Sequence, residues 1–225
     1  MNSKRNKTSS LVGILFLTAM AASLIGGSMI NPILSSSNDF TSLSEDKILL
    51  LIGVILELIN GIAVVGIAAL MYPMFKKYSE SMAIGYLGFR IVESIFCCMI
   101  VISPLSLIHL SQEYTKAGIS DATFLQASGA LSIAERSALN DMLIPVFFGL
   151  GALLFYCLLY KLKLLPRFIS IWGIVGAILI LAMNLLLQFQ GDSLNAILLA
   201  VMAFPMILNE IFLGIWLIIK GFNHT

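Results

Sequence analysis

Apolar residues in this chain fall into long runs separated by short polar stretches. Six runs stand out, at 11–30, 48–71, 82–110, 142–160, 168–189 and 196–219. A helix rising about 1.5 Å per residue needs roughly 18–20 such residues to cross a hydrocarbon layer about 30 Å thick. The pattern therefore predicts an all-α, polytopic integral membrane protein with six transmembrane helices. Asn31-Pro32 and Tyr72-Pro73 mark the ends of the first two. The one long polar stretch, 111–140, separates the third and fourth. Within it Phe124, Ala127, Leu131, Ala134 and Ala138 recur at spacings of three and four behind Asp121, a candidate N-cap. That periodicity predicts a short helix resting on the outer bilayer surface, with a lid over a site as the alternative.

The loop charges give the orientation. Lys4, Arg5, Lys7, Lys76, Lys77, Lys161, Lys163, Arg167 and Lys220 all fall on one side, against Lys47, Lys116 and Arg136 on the other. The second side also gathers Asp39, Glu45, Asp46, Glu113, Asp121, Glu135, Asp141 and Asp192. Under the positive-inside rule the basic side is cytoplasmic, so an even number of spans puts both termini there. The stretch from Lys4 to Gly27 also reads as a signal peptide, with Ala21, Ala22 and Ser23 as the cleavage region. Its apolar run is longer than an ordinary signal core and continues through Ile25, Met29 and Ile30, which favours a retained helix.

Composition agrees. Of 225 residues, 59% are hydrophobic and 11% charged, with mean hydropathy +1.00, against about 25% charged in soluble domains. Six spans occupy nearly the whole chain, so 1–225 is expected to be a single transmembrane domain in contact with the lipid bilayer. A net charge of +1 argues against a nucleic-acid partner, which calls for a concentrated basic stripe. Cys97, Cys98 and Cys157 lie in apolar runs without metal-ligand spacing, and no cofactor motif is present. His109 sits at an outer helix end and His224 in the C-terminal tail, so no intramembrane histidine is available as zinc ligand or as base for a serine nucleophile.

The candidate chemistry lies in polar groups that are costly inside a membrane. Glu57 and Asn60 fall in the second span, Tyr86, Arg90 and Glu93 in the third, Asn209 and Glu210 in the sixth. Helical rise puts Glu57 roughly 14 Å below its outer end, Glu93 roughly 16 Å above its inner end and Glu210 roughly 21 Å below its outer end. All three are near mid-depth, and one shared layer is expected. A charged residue at the centre of a spanning helix costs about 2.5–3.5 kcal/mol, so these groups should face inward. Tyr86, Arg90, Glu93 and Cys97 share one helical stripe, Gly53, Glu57 and Asn60 a second, and Gly173, Ala177, Asn184 and Gln188 a third. Arg90 can hold one carboxylate; the others must be protonated or neutralised by a cation.

The segments Leu56-Glu57-Leu58-Ile59-Asn60, Gly85 to Glu93, Leu165-Pro166-Arg167 with Trp172-Gly173, and Asn209-Glu210 leading to Trp216-Leu217 resemble the bacterial membrane-protein family called domain of unknown function 4386. The resemblance runs from the first span to Gly221. It implies a bacterial plasma membrane and no established reaction. Three readings follow for the polar residues. They form a small carrier site for a proton or small cation, in which a homodimer would enlarge the pathway; they serve an intramembrane enzyme, whose common constellations are missing; or they lock the helices of a non-catalytic module that binds a partner protein or lipid.

Overall fold

The computed structural model describes residues 2–36, 46–116, 122–190 and 196–223, which are helical apart from short turns. The helices are α1 (Asn2–Ser36), α2 (Lys47–Phe75), α3 (Glu80–Met99), α4 (Ile102–Lys116), α5 (Ala122–Ala138), α6 (Ile144–Leu162), α7 (Arg167–Gln190) and α8 (Ala196–Ile219). Six stretches are long and apolar enough to cross a membrane: Lys7–Ser35, Lys47–Phe75, Glu80–Glu113, Thr123–Leu162, Arg167–Phe189 and Ile197–Ile219. The protein is thus a multi-pass membrane protein with six transmembrane helices. Asp121, the expected N-cap, and His224 lie outside the described residues.

The spanning helices α1, α2, α3, α6, α7 and α8 each pack against their neighbours in that order, and α8 closes back on α1. The result is a ring of six helices. Outward faces are apolar: Ile48, Ile52, Ile55, Ile59 and Ile62 form an exposed stripe along α2, and Phe168, Ile171, Val175 and Ile178 form another along α7. Such stripes suit lipid, which has no need of polar side chains. Small residues allow the closest crossings. A Cβ on Gly13 would lie 2.6 Å from the Gly214 carbonyl oxygen, and one on Gly26 would lie 3.1 Å from that of Gly53, so α1 is pinned to α8 and α2 by backbone contact.

At the end bearing Lys76, Lys161 and Arg167, the turns are tied down. Ser79 caps α3, its hydroxyl accepting from the Met82 amide at 3.3 Å. Lys163 takes a left-handed conformation after α6, and Asn223 donates from its backbone to the Leu164 carbonyl at 2.8 Å and from its amide side chain to that of Lys163. Phe222 is buried beneath this clasp. The segment after α8 is thereby fastened to the α6–α7 turn.

At the opposite end two prolines reshape the helices. The third span, expected as one helix over 82–110, is α3 and α4 with a break at Ile100–Val101. Pro104 has no N–H to offer the Ile100 carbonyl four residues earlier. The expected surface helix is instead α5, which runs through a π-helical turn at Leu139–Leu143 directly into α6 and packs against α4. There Pro145 similarly leaves the Asp141 carbonyl free, and the Asn184 side chain of α7 donates to it at 2.7 Å.

Candidate functional site

The ring encloses a cavity of about 270 Å³ to which all six spanning helices contribute. Its walls are mostly apolar, with Phe16, Met20, Ile67, Phe148, Ile180 and Met183 among them. Its polar groups are Ser23, Asn60, Arg90, Glu93 and Glu210. A second cavity of about 280 Å³ shares Ser23, Leu24, Asn60 and Ile144 with it and extends to Gly27, Asn31, Glu57 and Asn140. A third, about 260 Å³, shares Asn31 and Asn140 with the second and reaches Ser35, Arg136, Ser137 and Asp141. Asn31, Ser35, Ser137 and Asp141 are exposed. The three spaces form a succession from the middle of the ring to the end that carries the acidic loops.

The other end is plugged. Phe16, Phe75, Tyr86, Phe155 and Tyr156 are all buried and pack ring against ring, with centroids 5.2–5.7 Å apart from Phe16–Phe155 at 5.3 Å through Phe75–Tyr86 at 5.3 Å to Phe155–Tyr156 at 5.2 Å. Phe16 belongs both to this plug and to the cavity floor. Offset and edge contacts of this kind add to the area the rings bury.

Two ion pairs organise the polar groups. Arg90 and Glu93, one turn apart on α3, are 4% and 3% exposed, and Arg90 Nη1 donates to both Glu93 carboxylate oxygens at 2.9 and 3.2 Å. The guanidinium lies between aromatic rings, 5.7 Å from the Tyr86 centroid and 5.3 Å from that of Phe148. Gly151 makes room for it, since a Cβ there would stand 3.1 Å from Nε. The second pair joins Glu57 of α2 to Arg136 of α5, 5% and 3% exposed. Arg136 Nη2 donates to Glu57 Oε1 at 2.6 Å and Nη1 to Oε2 at 3.0 Å, a fork-to-fork pairing. Nη1 also donates at 2.7 Å to the Ile100 carbonyl, the one that Pro104 leaves free.

The sequence profile described as Domain of unknown function (DUF4386) matches residues 11–221. The chain belongs to the DUF4386 family. Curated proteins and solved structures yield no match.

In this DUF4386 chain the acids do not share one layer. Counted from Phe75, Glu80 and Ile219 at the basic end, Glu57 lies about 27 Å along its helix, Glu93 about 20 Å, Arg90 about 15 Å and Glu210 about 14 Å. Arg90, Glu93, Asn60 and Glu210 border the central cavity, and Tyr86 lies beneath it in the plug. Glu57 belongs to an outer tier with Arg136. Asn209 turns away, its amide donating to the Ile169 carbonyl of α7 at 3.0 Å. Of the three helices that carry these acids, α2 packs on α3, whereas α8 packs chiefly on α1 and α7 and faces α2 and α3 across the cavity. Asn60 instead ties α2 to α3, with its amide 3.7 Å from Cys97 Sγ, beside a 2.9 Å bond from the Ser94 hydroxyl to the Gly61 carbonyl.

Arg136 is the residue that sequence reasoning counted only as a loop charge. It changes the balance from three carboxylates and one guanidinium to three and two. Glu210 is left without a hydrogen bond or ion pair to any described residue, partly buried, and within electrostatic reach of Arg90, Tyr86 and Tyr156. Among the described residues no three His, Cys, Asp or Glu side chains converge as metal ligands.

Proposed function

We propose that the protein is a small carrier of the bacterial plasma membrane, with both termini cytoplasmic, that admits a proton or small cation from its acidic-loop face to Glu210. The observation that carries this reading is the unpaired Glu210 carboxylate in a central cavity lined by every spanning helix. Ionisable groups at membrane depth are costly and are kept where they line pathways. The Arg90–Glu93 pair is electrically balanced and holds a fixed dipole beside Glu210. The aromatic plug separates the cavity from the basic face, as expected of a carrier resting open to one side.

The lock reading has its own support, in the outer tier: Glu57 and Arg136 satisfy each other and join α5 to the ring. The two readings thus apply to different residues. The test is flux in proteoliposomes. Wild-type protein should carry protons or monovalent cations down an imposed gradient, and Glu210→Gln, which keeps the shape and removes the charge, should abolish that flux while leaving the protein folded. Equal flux in wild type and Glu210→Gln would overturn the proposal, as would flux no greater than that of empty liposomes.

A further inference from the structure

The cavity that receives the cation also constrains its chemistry. With Glu210 ionised, its polar groups sum to one uncompensated negative charge, because Arg90 cancels Glu93 and Arg136 cancels Glu57 in the tier above. An anion would meet Glu210 beside a single guanidinium, that of Arg90, whose charge is already balanced by the Glu93 carboxylate bonded to Nη1 and whose Nε side is packed against Gly151.

A bare metal ion is a poor fit. Hard cations replace their water with about six or more oxygens, and the oxygens on this cavity beyond the engaged pair come from Glu210, Ser23 and Asn60, on three different helices. The remaining wall is hydrocarbon, thioether and phenyl, with Phe16, Met20, Ile67, Phe148, Ile180 and Met183 contributing. Such a wall rewards burial of apolar surface, and ring faces and thioethers accept organic ammonium groups. At about 30 Å³ each, the space of about 270 Å³ holds roughly ten non-hydrogen atoms.

We infer that the ligand is a monovalent organic cation with a compact hydrocarbon body, its charge set against Glu210 and its body against the apolar wall. The inference rests on the cavity being the binding site of the proposed function and names what that site selects. Ser23 and Asn60, shared by the central and second cavities, lie on the way in, and Asp141 at the outer mouth adds a second negative charge that favours cations over anions.

The test is calorimetric titration of the full chain in detergent with benzyltrimethylammonium, phenylacetate as the anion of similar body, and sodium chloride. Benzyltrimethylammonium should bind saturably at one per chain, and phenylacetate and sodium should give no saturable heat. Glu210→Gln should weaken the binding at least tenfold without changing the unfolding midpoint. Met183→Trp, which fills the wall and keeps Glu210, should weaken it as well. Undiminished binding in Glu210→Gln, phenylacetate binding as well as the cation, or no saturable binding of benzyltrimethylammonium would each overturn the inference. The two claims fail separately. Saturable binding without flux leaves the ligand class standing and refutes the carrier; Glu210-dependent proton flux without binding of the organic cation does the reverse.

Discussion

Replacing Arg136 by Met keeps much of the side chain's apolar stem and deletes its guanidinium. The loss strands two groups at once. Glu57, 5% exposed, gives up bonds of 2.6 and 3.0 Å. The Ile100 carbonyl gives up its 2.7 Å donor and has no helical substitute, because Pro104 cannot supply one. Breaking a buried pair by removing one partner costs about 3–5 kcal/mol, and an orphaned buried acceptor about 1–3 kcal/mol. The two losses share one guanidinium and are not fully additive, so a net loss of about 4 kcal/mol is expected. Glu57→Gln in the same chain removes the stranded charge, so the double variant should recover about 2–3 kcal/mol relative to the sum of the single changes, a coupling typical of groups in one network. Equilibrium unfolding in mixed detergent micelles measures all three proteins. A loss below about 1 kcal/mol for Arg136→Met, or strict additivity in the double variant, would refute the buried lock.

Two further changes test neighbouring parts of the frame. Gly151→Leu pushes atoms into the space of the Arg90 guanidinium, where even a Cβ would stand 3.1 Å from Nε; overpacking of this kind costs about 1–3 kcal/mol, and unfolding of the variant in the same micelles should show it, whereas an unchanged midpoint would mean that Arg90 has room to move. Asn184→Leu removes the donor to the Asp141 carbonyl and should destabilise by about 1–3 kcal/mol, with faster amide exchange across the π-helical turn at Leu139–Leu143 as the local readout; exchange equal to wild type would show that the turn does not depend on α7.

The six spans and their apolar faces were legible because membrane depth imposes long runs and helical stripes, as in Ile48 to Ile62. The inward direction of Gly53, Glu57, Arg90 and Glu93 followed from the same cost argument. What periodicity could not give is which acid meets which base. Glu57 was placed at nearly its true depth, since α2 begins at Lys47, but the crossing of Gly61 with Ser94 sets Glu93 more than a turn nearer the basic end, a register that periodicity does not carry. Arg136 looked like an ordinary loop charge because 111–140 read as a separate surface helix. The available signal was its position six residues before the fourth span, on the side where basic residues are scarce, with Pro145 beyond it. Asn209 adjoins Glu210 in sequence, yet neighbours on a helix point about 100° apart, and the amide went to α7. Gln188, grouped with Gly173, Ala177 and Asn184, is exposed while the other three are buried.

The proposed carrier requires a cavity open toward the acidic loops and sealed toward the basic ones. Asn60 lines both the central and second cavities, and Ala83 is buried on the basic side of the plug. In a chain carrying Cys97→Ala, Cys98→Ala and Cys157→Ala, single Asn60→Cys and Ala83→Cys variants can be exposed to a membrane-impermeant cationic methanethiosulfonate on either face of oriented vesicles. The Asn60→Cys thiol should be modified rapidly from the acidic-loop face alone and the Ala83→Cys thiol from neither. Modification of the Asn60→Cys thiol only from the basic-loop face, or from neither face, would contradict it.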